Sequence, residues 1–188
     1  MQDEFELGDD TTLTLGGRFN RAEVDADSVF DPVTSTQTSL EDDWGAFAGS
    51  ARFLHRLRAD AVHLFGGVSQ GFRAPNLSDL TRLDAAQSNE FEIPSPGLDP
   101  EYSTQYELGL KTRHERVASQ CAFFYTVLDD LILRRPTGNV NGSGQFEVVK
   151  ENVGDGHVYG IEAEATLDLG SDWELFTGAT FVEGEVDK

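Results

Sequence analysis

The chain has 188 residues and a formal net charge of −20, from 14 Lys and Arg against 34 Asp and Glu. Such acidity excludes a binder of the phosphate backbone, which needs a basic surface, and no apolar run is long enough to form a membrane-spanning helix. The length suits one domain, and a hydrophobic share of 38% suits strands with a single apolar face better than a thick globular core.

In chain order, Met1 to Leu7 reads as the tail of a strand and Gly8-Asp9-Asp10 as a tight turn. Leu13, Leu15, Gly17 and Phe19 then alternate with Thr12, Thr14, Gly16 and Arg18, the period of a strand with one apolar face. Asp25 to Asp43, rich in Asp, Ser and Thr and holding Pro32, reads as a loop. A strand follows from about Gly45 to Leu57, with Phe47, Ala51 and Phe53 opposite Arg52 and Arg56. After Arg58-Ala59-Asp60 the pattern returns through Val62, Leu64, Gly66, Val68 and Phe72.

Arg73 to about Glu101 is a long polar loop with Pro75, Pro94, Pro96 and Pro100, and a loop of that length implies a task of its own. Tyr102, Tyr106, Leu108 and Leu110 face one way beyond it, and His114-Glu115-Arg116 turns the chain. Val117 to Leu133 is an apolar strand of poor alternation, which leaves its outer face undefined. It contains Cys121, the only cysteine, so no intrachain disulfide forms. Arg134 to about Gln145 reads as a loop. The cleanest strand follows, with Tyr159, Ile161, Ala163, Ala165 and Leu167 against Glu162, Glu164, Thr166 and Asp168. Gly170-Ser171-Asp172 turns into a last strand that opens with Trp173 and Leu175, and Tyr159 and Trp173 suit an interfacial aromatic girdle.

The four short reversals begin roughly fifty residues apart, and long polar loops lie between them. Short turns on one side and long loops on the other are the mark of a transmembrane barrel. A soluble sandwich would show turn signals every ~8–12 residues, without that asymmetry. The expected fold is all-β: an antiparallel, up-and-down transmembrane β-barrel segment, about eight strands of a larger barrel, with long extracellular loops.

Several stretches carry a family resemblance. Val68-Ser69-Gln70-Gly71-Phe72-Arg73-Ala74-Pro75-Asn76-Leu77 resembles a strand-end signature of the TonB-dependent outer-membrane receptors. Pro96-Gly97-Leu98-Asp99-Pro100-Glu101-Tyr102, Tyr125 to Ile132, Glu151-Asn152-Val153-Gly154 and Val158-Tyr159-Gly160-Ile161-Glu162 follow in the family's order. The resemblance covers roughly Leu13 to Glu183. It implies a bacterial outer-membrane receptor that takes up a scarce nutrient, such as siderophore-bound iron or cobalamin, through a plugged barrel. The implied partners are outer-membrane lipid, a small-molecule nutrient chelate and, for a full-length receptor, an energy-coupling inner-membrane complex. No enzyme activity, cofactor or resident metal is expected. The segment Arg73 to Asp99 lacks the histidine that haem-uptake members carry there.

Motif positions with an expected structural role are Gly71, Phe72, Arg73, Ala74, Pro75, Pro100, Glu101, Asn152, Gly154, Tyr159, Gly160 and Glu162. Gly71 and Gly160 remove side chains where backbone packs closely, Pro75 ends ladder pairing, and Glu101 or Glu107 pairs with Arg73 at the rim. Arg73, Asn76, Asp79, Glu90 and Glu92 in the longest loop are the expected ligand contacts. Asp9-Asp10, Asp42-Asp43 and Asp129-Asp130 read as solvated turn residues rather than calcium ligands, because EF-hand spacing is missing.

Met1-Gln2-Asp3-Glu4-Phe5-Glu6 has acids where a signal peptide needs a basic and then an apolar segment. Residues 1–188 are therefore expected to be one partial barrel region without plug domain, signal peptide or closing strand. The alternatives are a complete eight-stranded outer-membrane barrel acting as adhesin or structural protein, and a soluble acidic β-sandwich that binds ions or glycans.

Overall fold

A computed structural model of the chain describes residues 1–31, 35–58, 61–86 and 89–187. Pro32 of the first expected loop, and Ala59 and Asp60 of the second expected turn, lie outside those residues. The chain opens with β1 (Gln2–Glu6), β2 (Thr11–Asp31), β3 (Thr36–Arg58) and β4 (Val62–Arg73). A short helix α1 (Leu77–Thr81) and two small strands, β5 (Asp84–Ala85) and β6 (Glu90–Glu92), follow. The long strands resume with β7 (Glu101–His114), β8 (Val117–Val140), β9 (Phe146–Gly170) and β10 (Trp173–Asp187). All ten join one sheet, so no second sheet faces it among the described residues and the sandwich alternative fails.

Consecutive long strands pair antiparallel throughout, in the order β1-β2-β3-β4-β7-β8-β9-β10. The register lines up one apolar row across the sheet: Phe5, Leu13, Phe53, Gly66, Leu108, Phe123, Ile161 and Phe181. Side chains at every second position share that face, so Phe19, Phe47, Tyr106, Leu110, Tyr125 and Leu175 extend the row into a belt, and these large side chains are exposed. Arg18, Arg52, Glu107, Glu162 and Glu164 occupy the alternate positions on the opposite face. A belt of greasy residues on one face and charges on the other is the pattern of a barrel wall between hydrocarbon and a wet lumen.

The belt slopes across the strands. Its upper limit runs from Phe19, level with Phe47, to Phe181, level with Phe53, which is six residues lower on β3. Its lower limit falls equally, from Leu13, level with Phe53, to Leu175, level with Val117. Six residues of about 3.3 Å over six strand spacings of about 4.8 Å give an incline of roughly 35°. Membrane barrels tilt their strands by about 35–45°, so the register alone supplies the geometry of a spanning wall.

Above the belt the polarity of the two faces inverts. Beyond Phe19 and Phe47 the outer positions of β2 and β3 become Glu23, Asp25, Glu41 and Asp43, all exposed. The inner positions become Ala22, Val24, Leu40 and Trp44, which pack against Leu80 and Leu98. This corrects two expectations. Most of Asp25 to Asp43 and of Arg134 to Gln145 is strand, and only residues 141–145 of the second form a turn: β2 and β3 run on to Asp31 and Thr36, and β8 and β9 to Val140 and Phe146. Their polar composition reflects strands whose outer face has left the membrane. Asp42-Asp43 and Asp129-Asp130 accordingly sit in strands, not turns.

Poor alternation in β8 also has a cause. Phe124 points inward and lies over Gly160, where an added Cβ would meet the Phe124 ring at 2.7 Å and the Phe181 carbonyl oxygen more closely still. Ile132 points inward against the small core below α1. Two apolar residues on the wet face thus blur the period without changing it. Between them one extra residue of β8 at Leu128–Leu131 is offset by one extra residue of β9 at Asn152–Gly154.

Candidate functional site at the upper rim

The segment between β4 and β7 is folded, and it lies across the inner face of the upper wall. Pro75 is buried where the ladder of β4 stops, having no N–H to continue it. Asn76 caps α1: its Oδ1 accepts from Asp79 N at 3.0 Å, and Asp79 Oδ2 accepts from Asn76 N at 3.1 Å. Leu80, fully buried, then joins Trp44 and Leu98, and the Trp44 indole N–H donates to Leu98 O at 3.1 Å.

Past α1 the chain returns along β9. Residues Glu90, Phe91 and Glu92 of β6 pair parallel with Phe146, Glu147 and Val148. Ile93 N donates to Val148 O at 3.0 Å, and Lys150 N donates to Ser95 Oγ at 2.7 Å. Asn152 completes the track: its Oδ1 accepts from Asp99 N at 2.8 Å, while its Nδ2 donates to Asp99 O and Asp130 O, each at 2.8 Å. Lower down, the same edge of β9 is taken by β10, from Asp155 to Gly170.

Charged groups tie these pieces together. Asp79 is 8% exposed and Glu92 only 1%. Lys150 Nζ, itself mostly buried, reaches Asp79 Oδ1 at 2.9 Å and Glu92 Oε1 at 3.1 Å. The second oxygen of each carboxylate takes an arginine: Arg73 Nη1 to Asp79 Oδ2 at 2.9 Å, and Arg134 Nε to Glu92 Oε2 at 3.0 Å. Arg82 Nε stands 3.9 Å from that same Glu92 oxygen. Arg73 Nε also bonds Glu101, whose other oxygen accepts Ile132 N at 2.8 Å. Of the two expected partners for Arg73, Glu101 is the one engaged; Glu107 lies further down β7, opposite Gly67.

The ionisation of these groups follows from the contacts. Burial pushes the Asp79 carboxyl up, but Lys150, the Asn76 N–H and Arg73 together outweigh it and hold the group below its ordinary range. The Arg73 guanidinium, against the smaller opposing effect of burial, holds Glu101 down, and the Ile132 N–H adds to it. Glu101, then Asp79, raise Arg73 further above its already high value despite partial burial.

The structure thus brings Arg73, Asn76, Asp79, Glu92 and Glu101 into one network, with Glu90 half-buried at the start of β6. Ala74 packs on the Trp44 core, Phe72 lies 5.8 Å from the Tyr102 ring, and Pro100 is buried just before β7. Gly71 leaves room for the Ser103 hydroxyl, and at Gly154 an added Cβ would meet Leu133 Cδ1 at 2.6 Å. Tyr159 lies mid-strand because β9 rises past the belt. It shares a row with Tyr106 and Tyr125, and its hydroxyl donates to Glu183 at 2.6 Å. His157 stacks between Tyr125 and Tyr159, at 5.6 and 6.2 Å. Glu162 faces the lumen opposite Ala122 and Thr180. Trp173, at the foot of β10, is exposed.

Sequence reasoning missed Lys150, Arg134 and Trp44. Lys150 stands two positions before Asn152, on the same face of the strand, and that spacing was the available signal. Among the described residues no group of three His, Cys, Asp or Glu side chains is placed to hold a metal ion.

The family model for the TonB dependent receptor-like β-barrel matches residues 1–187. The chain is 27% identical over 193 aligned residues to the iron-regulated outer membrane virulence protein of Vibrio cholerae O395, covering 98% of this chain and 27% of that protein. It is 30% identical to the vitamin B12 transporter BtuB of Photobacterium profundum over 53% of this chain and 15% of that one. The chain therefore spans about a quarter of the length of the first relative. The siderophore receptor PirA of Pseudomonas aeruginosa superposes with a TM-score of 0.74 at 20% identity, over 97% of this chain and 33% of PirA. At that identity the likeness speaks for the fold.

Proposed function

This chain belongs to the TonB-dependent receptor-like β-barrel family, and from that membership we propose that it builds part of the wall and mouth of a receptor that takes up a scarce nutrient. Its place is the bacterial outer membrane, with the sloping belt in hydrocarbon and the inverted strands above it in water. That belt, with its change of polarity at one boundary, is the observation that carries the reading.

A ferric chelate is the substrate class best supported, since the Vibrio cholerae relative is named for iron regulation. Cobalamin is the second, on the BtuB relative. The rim supplies the mouth: Arg73, Asn76 and Glu90 present atoms to solvent for contact with such a chelate, while Asp79 and Glu92 hold the surface that carries them. Outer-membrane lipid surrounds the wall, and energy comes from an inner-membrane coupling complex acting on the whole receptor.

The test is uptake. Cells lacking the gene for the receptor that contains this segment are grown in iron-depleted medium and given radiolabelled ferric siderophores or cobalamin. Loss of uptake of one of these, restored by the gene, is the expected result. Unchanged uptake of every chelate removes the reading.

A further inference from the structure

The upper edge of β9 is covered by a segment that returns from three strands away, through the three ladder pairs of β6. A ladder that short contributes little by itself. Apolar contacts add to it: Leu80 and Leu98 pack on Trp44 of β3 with Ile132 of β8 against the same cluster, and Ile93 and Val148 are buried where the segment meets β9. Hydrogen bonds at Ile93, Ser95 and Asp99 continue the track along β9, and charge adds the one contact that joins α1 and β6 to that strand at once. Lys150 is the group that touches both buried carboxylates, and each gives it a separate oxygen: Oδ1 of Asp79 and Oε1 of Glu92. The oxygens turned to Arg73 and Arg134 are the other two. Without the ammonium, one buried oxygen on each carboxylate loses its counter-charge, a state that interiors tolerate poorly.

We propose that Lys150 fastens a releasable strap across the mouth: Glu90–Asp99, tethered also through Asp79 of α1, stays on β9 while the ammonium bridges Asp79 and Glu92, and leaves it when that bridge is broken. Release frees the edge of β9 from Phe146 to Asn152 and uncovers the inner face of the upper hairpin. Lys150 acts as a positioning residue, through the strap and not by touching the cargo. This deepens the receptor reading by naming what governs its mouth, but strap docking is measurable with no nutrient present.

Hydrogen exchange on the receptor in detergent micelles tests it. Lys150→Met is expected to speed amide exchange at Ile93 and Ser95, and at Lys150's neighbours on β9, by roughly tenfold or more. The belt amides of Leu108, Phe123 and Ile161 stay as protected as before. Neutralising the whole cluster, as Asp79→Asn with Glu92→Gln and Lys150→Met, is expected to return the strap to protection, because no buried charge then lacks a partner. Unchanged exchange in Lys150→Met overturns the proposal. So does loosening of belt and strap together that the triple variant does not reverse. Failure of chelate uptake with normal strap behaviour would instead count against the receptor reading alone.

Discussion

Asn152 and Asp99 bind each other in both directions: Asp99 N donates to the Asn152 Oδ1 and the Asn152 Nδ2 donates back to Asp99 O, both at 2.8 Å. A side-chain amide here does what a strand neighbour would do with its backbone. The spare hydrogen of Nδ2 holds the carbonyl oxygen of Asp130, the non-glycine residue of β8 with a positive φ, 58°. One asparagine therefore secures the return of the strap and the irregularity of β8 together.

Asn152→Ala removes three hydrogen bonds and leaves Asp99 and Asp130 to find water. The expected cost is about 2–3 kcal/mol. It should appear as faster proteolysis within residues 89–100 and a lower thermal midpoint of the folded barrel. Asn152→Asp, which keeps one acceptor but loses the donor, should fall between the two.

The pH dependence of docking follows in sign from Asp79, held below the ordinary carboxylate range in the docked rim by Lys150 and Arg73 against the opposing effect of burial. The docked state binds fewer protons than the released one, so acid favours release. The contribution of Asp79 is complete above the ordinary range, and it is lost as pH falls below about 4 through the depressed value. Trp44, buried and hydrogen-bonded to Leu98, reports docking by fluorescence in a Trp173→Phe background. A red shift confined to the acid limb is expected, with a flat signal from pH 5 to 8.

Gly160→Val should fail in a different way. The added side chain meets the Phe124 ring and the Phe181 carbonyl oxygen, and overpacking of this kind costs about 1–3 kcal/mol. Phe124→Ala in the same chain should recover part of the loss. The measurement is the temperature at which the barrel loses its compact mobility on a semi-native gel.

Facing can be tested residue by residue. Ala163→Arg puts a charge into the middle of the belt and should cost about 2–4 kcal/mol. Glu162→Gln, one position before it and turned to the lumen, should change stability by less than about 0.5 kcal/mol. Refolding into lipid vesicles, followed by urea titration, measures both. Equal effects would contradict the assignment of faces.

The long strands were legible wherever one face is apolar and the other polar, as in Leu13 to Phe19 and Tyr159 to Leu167. They became illegible above the membrane for a physical reason. There the outer face is acidic and the inner apolar positions are spread thinly, so Asp25 to Asp43 looked like loop although its ladder continues. The strap was legible as a motif but not as a fold. Its ion pairs join Arg73, Asp79, Glu92, Arg134 and Lys150 across separations that no local period encodes. Asn152 could be picked from its motif, while its reciprocal bond to Asp99 needed coordinates.

The paired irregularities of β8 and β9 have a consequence for how this hairpin tolerates change in length. The extra residue on β8 near Asp130 and the extra residue on β9 at Val153 cancel, which preserves the parity of both strands from bilayer to tip. Losing one residue from either strand alone would turn Ile132 and Arg134, or Lys150 and Val148, to the outside and undo the mouth at a stroke. Insertions and deletions that survive here should come in even numbers, or be confined to the turn between Val140 and Phe146.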